Sequence, residues 1–279
     1  MREKTLPSTK RMQSPARLLI IAGSDSGGGA GIQADIKTAT VLGAYAMTAV
    51  TAVTVQDTRG VHGVYPIPPK VVADQVAHVL DDIGADAIKT GMIVSADTVE
   101  AVSKALARHP SVPLVVDTVM TAKGGTALLD DAGVEAVRQL LFPRAALVTP
   151  NAPEAARLTG LPVETPEDLL NAAQALHATG VRAVLAKGGH LAGDTVTDVL
   201  VEAGGIHIFR TRRIDNPSTH GTGCTLATAI AASLAQGFAL EDAVVRARSF
   251  VHEAIRTGLP FGRGTGPLNH LHAIAPYQE

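Results

Sequence analysis

From Arg17 onward the chain alternates short apolar runs with segments of helical period, and this alternation limits the folds open to it. Leu18 to Ala22 reads as a buried strand ending in glycine, Ile32 to Leu42 as a helix, and Ala46 to Val55 as a second strand rich in Val and Thr. Val71, Val72, Val76, Val79, Leu80 and Ile83 then recur at helical spacing. Ala87 to Lys89 and Leu114 to Val116 read as short strands on either side of a helix, Thr98 to Leu106. Val134 to Leu141, Ala145 to Val148 and Leu169 to Leu176 continue the alternation, and Ala183 to Ala186 closes it. Repeated strand–helix–strand units demand right-handed crossovers. The expected fold is α/β, a doubly wound, mostly parallel sheet flanked by helices.

The pattern changes after residue 190. Thr195 to Glu202 and Ile206 to Thr211 are strand-like runs joined through Gly204-Gly205, the signal of a late β-hairpin. Two helices are expected next, over Thr225 to Gln236 and Leu240 to Thr257. No repeat, low-complexity block or Pro/Ser linker divides the chain, so one domain is expected over residues 17–279. Residues 1–16 are polar, hold two prolines and lack the apolar core of a signal peptide, which predicts a disordered tail. One Cys leaves no internal disulfide and fits a reducing compartment, so a cytoplasmic location is expected. A net charge of −2 without a long basic run, and 3% aromatic residues without Trp, argue against nucleic acid or an anionic membrane as partner.

Unusual polar residues fall at successive strand ends. Gly23-Ser24-Asp25 follows the first strand and Gln56 ends the second. Lys89 and Met92 lie at the end of the third, Asp117 after the fourth, Asn151 after the fifth and Lys187 after the sixth. In an open parallel sheet the carboxyl ends of the strands share one edge, and ligands bind along it. Chain-distant groups therefore converge on one crevice.

Gly27-Gly28-Gly29-Ala30-Gly31 precedes a helix, but the G-x-G-x-x-G spacing of a dinucleotide loop is not cleanly met, and Asp35 is unwelcome beside a pyrophosphate. A loop that closes over a small substrate fits better, the alternative being a simple flexible turn. Asp35 is either a favourable charge near a helix start or an acceptor for a substrate hydroxyl or amine. Thr219-His220-Gly221-Thr222-Gly223-Cys224, directly before an apolar helix, carries the strongest local signal. Its glycines let successive N–H groups face one concavity at a helix N-terminus, an anion hole for a transferring phosphoryl group. Cys224 sits in the first turn, where the helix field is expected to lower a thiol pKa and let a thiolate take the proton of a hydroxyl acceptor; the plainer alternative is an inert core residue. Lys187-Gly188-Gly189-His190 offers a cation and backbone donors to a phosphate. Asn151 is a plausible helix cap, and Glu154 with Asp117 supplies two carboxylates for a hydrated Mg²⁺.

Ala22 to Asp35 resembles the opening of the hydroxymethylpyrimidine/phosphomethylpyrimidine kinases, members of the ribokinase-like superfamily. Gln56-Asp57-Thr58-Arg59-Gly60, Lys89-Thr90-Gly91-Met92, Asp117-Thr118-Val119-Met120, Thr149 to Glu154, Lys187 to His190 and His220 to Cys224 are similar too, so the resemblance runs from about Leu18 to the Gly266-Pro267-Leu268-Asn269-His270 tail. It implies ATP- and Mg²⁺-dependent phosphorylation of 4-amino-5-hydroxymethyl-2-methylpyrimidine and then of its monophosphate, by a homodimer. It further implies that Gly23, Asp35, Gln56 and Met92 hold the pyrimidine, with Cys224 near the reacting oxygen. Asp117 and Glu154 would serve Mg²⁺. Lys187, Asn151, Thr219 and Gly221 to Gly223 would serve the nucleotide phosphates. Relatives in the wider superfamily carry Asp where Cys224 stands. Ser26 and Asp57 depart from the family's Pro and Asn, both beside the substrate loop. Two rivals stand: a pyridoxal kinase of the same superfamily, and a sensor that binds a pyrimidine without catalysis. Gln56 favours the aminopyrimidine over pyridoxal, since one carboxamide both donates and accepts. The complete phosphate and metal set argues against the sensor.

Overall fold

The computed structural model describes residues 14–122 and 125–274. Of the tail expected over residues 1–16, residues 1–13 lie outside the described residues, and Ala16 already belongs to the first strand. Six strands build the parallel part of the sheet: β1 Ala16–Asp25, β2 Ala44–Asp57, β4 Ala87–Thr90, β5 Leu114–Val116, β6 Leu147–Val148 and β7 Ala183–Ala186. Antiparallel strands extend both edges: β3 Gly60–Pro66 pairs with β2, and the hairpin β8 Thr195–Glu202 and β9 Gly205–Arg212 follows β7. The order is β3-β2-β1-β4-β5-β6-β7-β8-β9.

Alternation along β1 shows how both faces are covered. Leu19 and Ile21 join a cluster with Val72 and Val76 of α2 (Pro69–Asp82), Val99 and Val102 of α3 (Ala96–Leu106) and Leu169 of α6 (Pro166–Ala178). Leu18 and Ile20 face the other way, against α1 (Gly31–Val41), α7 (Thr222–Ala235) and α8 (Leu240–Arg256). A strand buried on both faces has no polar side to display, which is why these runs are uninterrupted in sequence. Among the described residues two further α-helices are short: α4 (Asp131–Ala136) and α5 (Ala152–Thr159). No helix among the described residues is long and apolar enough to cross a membrane.

Two elements differ from expectation. β3 lacks the apolar pattern of the other strands because Gly63 and Pro66 interrupt it and it is half-exposed; Pro is tolerated at a sheet edge, where β3 lies. The single helix expected over Val134 to Leu141 is α4 followed by a π-helical turn, Val137–Leu141, and a 3₁₀ turn at Phe142–Arg144, where Pro143 cannot continue the α ladder.

Candidate active site

The register between β1 and β2 slips between Ala22 and Ser24, at the carboxyl end of the sheet. A bulge there re-aims the backbone at Gly23. A Cβ on Gly23 would sit 2.4 Å from the Met92 methyl, so the missing side chain is what lets Met92 pack against β1. Both residues line a cavity of about 880 Å³ along this edge. Gln56, Asp117, Asn151, Glu154, Lys187 and the whole turn from Thr219 to Cys224 line it as well.

Asp35 is the exception. It is fully buried, and its two carboxylate oxygens accept from Lys89 Nζ at 2.8 Å and Thr228 Oγ1 at 2.7 Å. A cation from β4 and a hydroxyl from α7 thus already engage the carboxylate that is expected to hold the pyrimidine.

Asp25 organises the glycine loop. Its carboxylate accepts N–H bonds from Gly27 at 2.8 Å, Gly29 at 3.1 Å and Ala30 at 2.8 Å. Burial works against its charge, but His220 and these backbone donors outweigh burial and hold the carboxyl below the usual range. His220 reaches the same carboxylate at 3.0 Å and carries the loop's order into the turn before α7. There Gly221 is left-handed, at φ 84°, and a Cβ on it would meet the Gly29 carbonyl oxygen at 1.8 Å. Only glycine allows the two loops to touch. The segment at Gly266 completes this junction, its carbonyl accepting the His220 N–H at 3.0 Å.

Gly221 is the N-cap of α7 and no side chain caps the helix, so its first turn meets the cavity as backbone. Unspent N–H groups at a helix N-terminus favour an anion. The thiol of Cys224 behaves unlike the expectation, however. Burial is the largest influence and pushes it up to about 12, against the opposing pull of Lys89 and of the Gly31 N–H that bonds it. Cys224 keeps partial solvent access, but the sulfur is sheltered enough that the neutral thiol, not the thiolate, is its resting form.

Lys187 donates to Asp117 Oδ1 at 3.0 Å, and Thr149 donates to the same oxygen at 3.0 Å. Burial disfavours the Lys187 charge, yet Asp117 and Glu154 together hold its pKa above the ordinary value. Asp117 is likewise buried, and Lys187 and Lys89 overcome that burial to keep its carboxyl below the usual range. Its second oxygen, Oδ2, is buried with no hydrogen-bond partner among the described residues. An ionised, orphaned oxygen on a cavity wall fits a cation. Asn151 and Glu154 form a capping box at the start of α5, and Thr118 also donates to Glu154 at 2.9 Å. Burial pushes the Glu154 carboxyl up, Lys187 pulling it back.

Several site groups carry only a weak signal in sequence. Asp25 and His220 were visible only as members of motifs. Asp198, a charge interrupting the apolar run of β8, accepts from the Gly188 N–H at 2.9 Å and from Arg248 Nε at 2.8 Å, and so holds the loop after Lys187. That interruption was the available signal.

An open α/β sheet with antiparallel edges, an uncapped helix start on the cavity at its strand ends and a lysine–carboxylate pair beside it define a ribokinase-like small-molecule kinase. Residues 25–269 match the family model of phosphomethylpyrimidine kinase. The chain is 49% identical over 261 residues to the hydroxymethylpyrimidine/phosphomethylpyrimidine kinase of Streptomyces coelicolor, covering 94% of this chain and 96% of that one. It is 51% identical over 263 residues to the thiamine biosynthesis bifunctional protein ThiED of Geobacter sulfurreducens, covering 94% of this chain but only 54% of that longer protein. Among solved structures, the Bacillus subtilis pyridoxal kinase in complex with ADP superposes with a TM-score of 0.87 at 37% identity, over 92% of this chain and 98% of that one. The chain belongs to the phosphomethylpyrimidine kinase family.

Proposed function

We propose that this kinase moves the γ-phosphoryl group of ATP to the hydroxymethyl oxygen of 4-amino-5-hydroxymethyl-2-methylpyrimidine, and then a second one to the resulting monophosphate. The observation that carries this reading is Gln56, a carboxamide able to donate and accept, on the wall of the cavity that also holds the anion turn of α7. Gly23 and Met92 supply a flat apolar surface for the ring. The N–H groups of Gly221 to Cys224 and the Lys187 ammonium would meet the transferring phosphate, where phosphoryl transfer needs charge stabilisation more than covalent help. Asn151 and Thr219 would flank the nucleotide phosphates.

Asp117 through its orphaned Oδ2, with Glu154 directly or through water, would hold Mg²⁺, which when bound offsets phosphate charge. Cys224 enters as a neutral thiol. A loose transition state asks for little deprotonation of the acceptor before attack, so a thiolate base is not required. We further read the protein as a single cytoplasmic domain working as a homodimer.

Phosphorylation of pyridoxal is the second reading, favoured by the close superposition on the Bacillus subtilis pyridoxal kinase. A coupled ADP-release assay with hydroxymethylpyrimidine, its monophosphate and pyridoxal separates the two. Turnover of both pyrimidines at a kcat/KM well above that of pyridoxal is expected. A preference for pyridoxal would overturn the assignment. Sedimentation of the purified chain tests the dimer.

A further inference from the structure

Three groups meet at one nitrogen. His220 Nε2 lies 3.0 Å from Asp25 Oδ2 and 3.1 Å from Gln56 Nε2. An imidazole nitrogen carries either a hydrogen or a lone pair, so it cannot donate to the carboxylate while accepting from the amide. Asp25 decides between them. An ionised carboxylate only accepts, and this one already takes N–H bonds from Gly27, Gly29 and Ala30. A lone pair aimed at it would be repelled, so Nε2 carries the hydrogen.

The amide nitrogen of Gln56 would then face another N–H. The oxygen and nitrogen of a carboxamide are nearly equal in size, and turning the group end for end removes the conflict. The oxygen then shares the His220 hydrogen with Asp25, and the NH₂ group faces Thr54 Oγ1. That hydroxyl lies 3.2 Å from the far end of the carboxamide and spends its own hydrogen on the Ser24 carbonyl at 2.9 Å. It therefore has a lone pair for the amide. The His220 hydrogen, the Thr54 hydrogen and one hydrogen of the NH₂ group then each have an acceptor.

We infer that His220 is a positioning residue that fixes which way the Gln56 carboxamide points, and so sets the order of donor and acceptor the cavity shows to a ring substrate. This rests on the reading above that Gln56 meets the ring.

The imidazole is well placed to hold that order. It is largely enclosed, its backbone N–H is tied to Gly266, and a Cβ at Gly29 would lie 2.4 Å from its Cδ2, so the ring fills the space that glycine leaves. A carboxamide free to rotate would satisfy either order of donor and acceptor. One locked by His220 satisfies a single order. An aminopyrimidine edge places an amino donor beside a ring-nitrogen acceptor, whereas pyridoxal has no amino group. The two rings are alike in size, so hydrogen-bond order has to do what shape cannot.

The test compares kcat/KM for hydroxymethylpyrimidine and for pyridoxal in the full chain, its His220→Ala and His220→Gln variants, and the same variants in a Gln56→Met background. His220→Ala should lower the pyrimidine-to-pyridoxal ratio by about tenfold, through KM for the pyrimidine more than kcat. His220→Gln, whose terminal NH₂ has one hydrogen for each oxygen, should recover most of the ratio. In the Gln56→Met background, His220→Ala should leave the ratio where Gln56→Met alone put it. Equal losses on both substrates would overturn the inference, as would a further fall in that background. If His220→Ala does not fold, as judged by thermal melting, His220→Asn takes its place, its amide being too short to span both partners. Wild-type protein that does not phosphorylate the pyrimidine would instead dismiss the functional reading itself.

Discussion

Lys89 and Asp35, 54 positions apart in the chain, form an ion pair 2.8 Å long in which neither side chain has any solvent exposure. Thr228 donates to the other carboxylate oxygen, so β4, α1 and α7 are tied at one point behind the cavity wall. Burial disfavours the Lys89 charge; Asp35, with Asp117 beyond it, outweighs burial and holds the ammonium charged.

Removing one partner of a buried pair leaves an uncompensated charge, a change that costs roughly 3–5 kcal/mol. Lys89→Met should therefore lower the unfolding free energy by about that amount in urea titration. Adding Asp35→Asn, which neutralises the abandoned carboxylate and keeps an acceptor for Thr228, should restore much of the loss. A double variant no more stable than Lys89→Met would show that the pair is not what the site requires.

A thiol pushed up to about 12 is protonated at neutral pH, whatever the field of α7. Alkylation of Cys224 by iodoacetamide should be slow at pH 7.5 relative to an ordinary thiol, whose pKa is about 8.5. Cys224→Ala should slow transfer to the alcohol and to the monophosphate by similar factors. A loss confined to the alcohol would restore the thiolate base. Because the folded-state pKa is raised, the contribution to stability is complete below the ordinary thiol range and is lost as pH climbs toward about 12.

The parallel strands were legible because burial on both faces leaves uninterrupted apolar runs, and strand-end polar residues then marked the cavity edge. The burial of Asp35 was not legible, for a definable reason. Its position inside the first turns of α1 says which helix carries it, but not that Lys89 on β4 faces it from the neighbouring strand. The upward shift of the thiol was hidden similarly. A helix start is visible in sequence, whereas the shelter around one sulfur comes from packing of distant elements. His220 was seen only as part of a glycine turn, since its partners Asp25 and Gln56 lie 195 and 164 positions away.

His270, buried in the last described turn, shares a hydrogen bond of 2.9 Å with Thr225 of α7. Burial, with Lys37 and His272 nearby, lowers its pKa to about 4. A histidine kept neutral in the folded state but free to protonate when unfolded adds stability above its ordinary pKa of about 6.5. That contribution is lost as pH falls toward about 4. Melting temperature should decline between those values, and His270→Gln should flatten the decline while lowering stability at pH 8. An unchanged acid slope in the variant would assign the decline to other groups.

Asp117 offers the sharpest test of the proposed cation site, because its two oxygens have different duties. Oδ1 is committed to Lys187 and Thr149, and Oδ2 is buried without a partner. The Lys187 and Lys89 charges overcome burial and hold the carboxyl below its usual range, so it stays ionised throughout the neutral range. Asp117→Asn keeps the shape and an acceptor for Lys187 but removes the negative charge. If Oδ2 meets Mg²⁺, the Mg²⁺ concentration that supports ATP binding, read by calorimetry without acceptor substrate, should rise on the order of tenfold or more. Pyrimidine binding without nucleotide should stay within about twofold, since the predicted ring contacts Gly23, Gln56 and Met92 are untouched. A Mg²⁺ titration that superimposes on the wild-type curve would remove Asp117 from the cation site and leave it as the counter-charge of Lys187 alone.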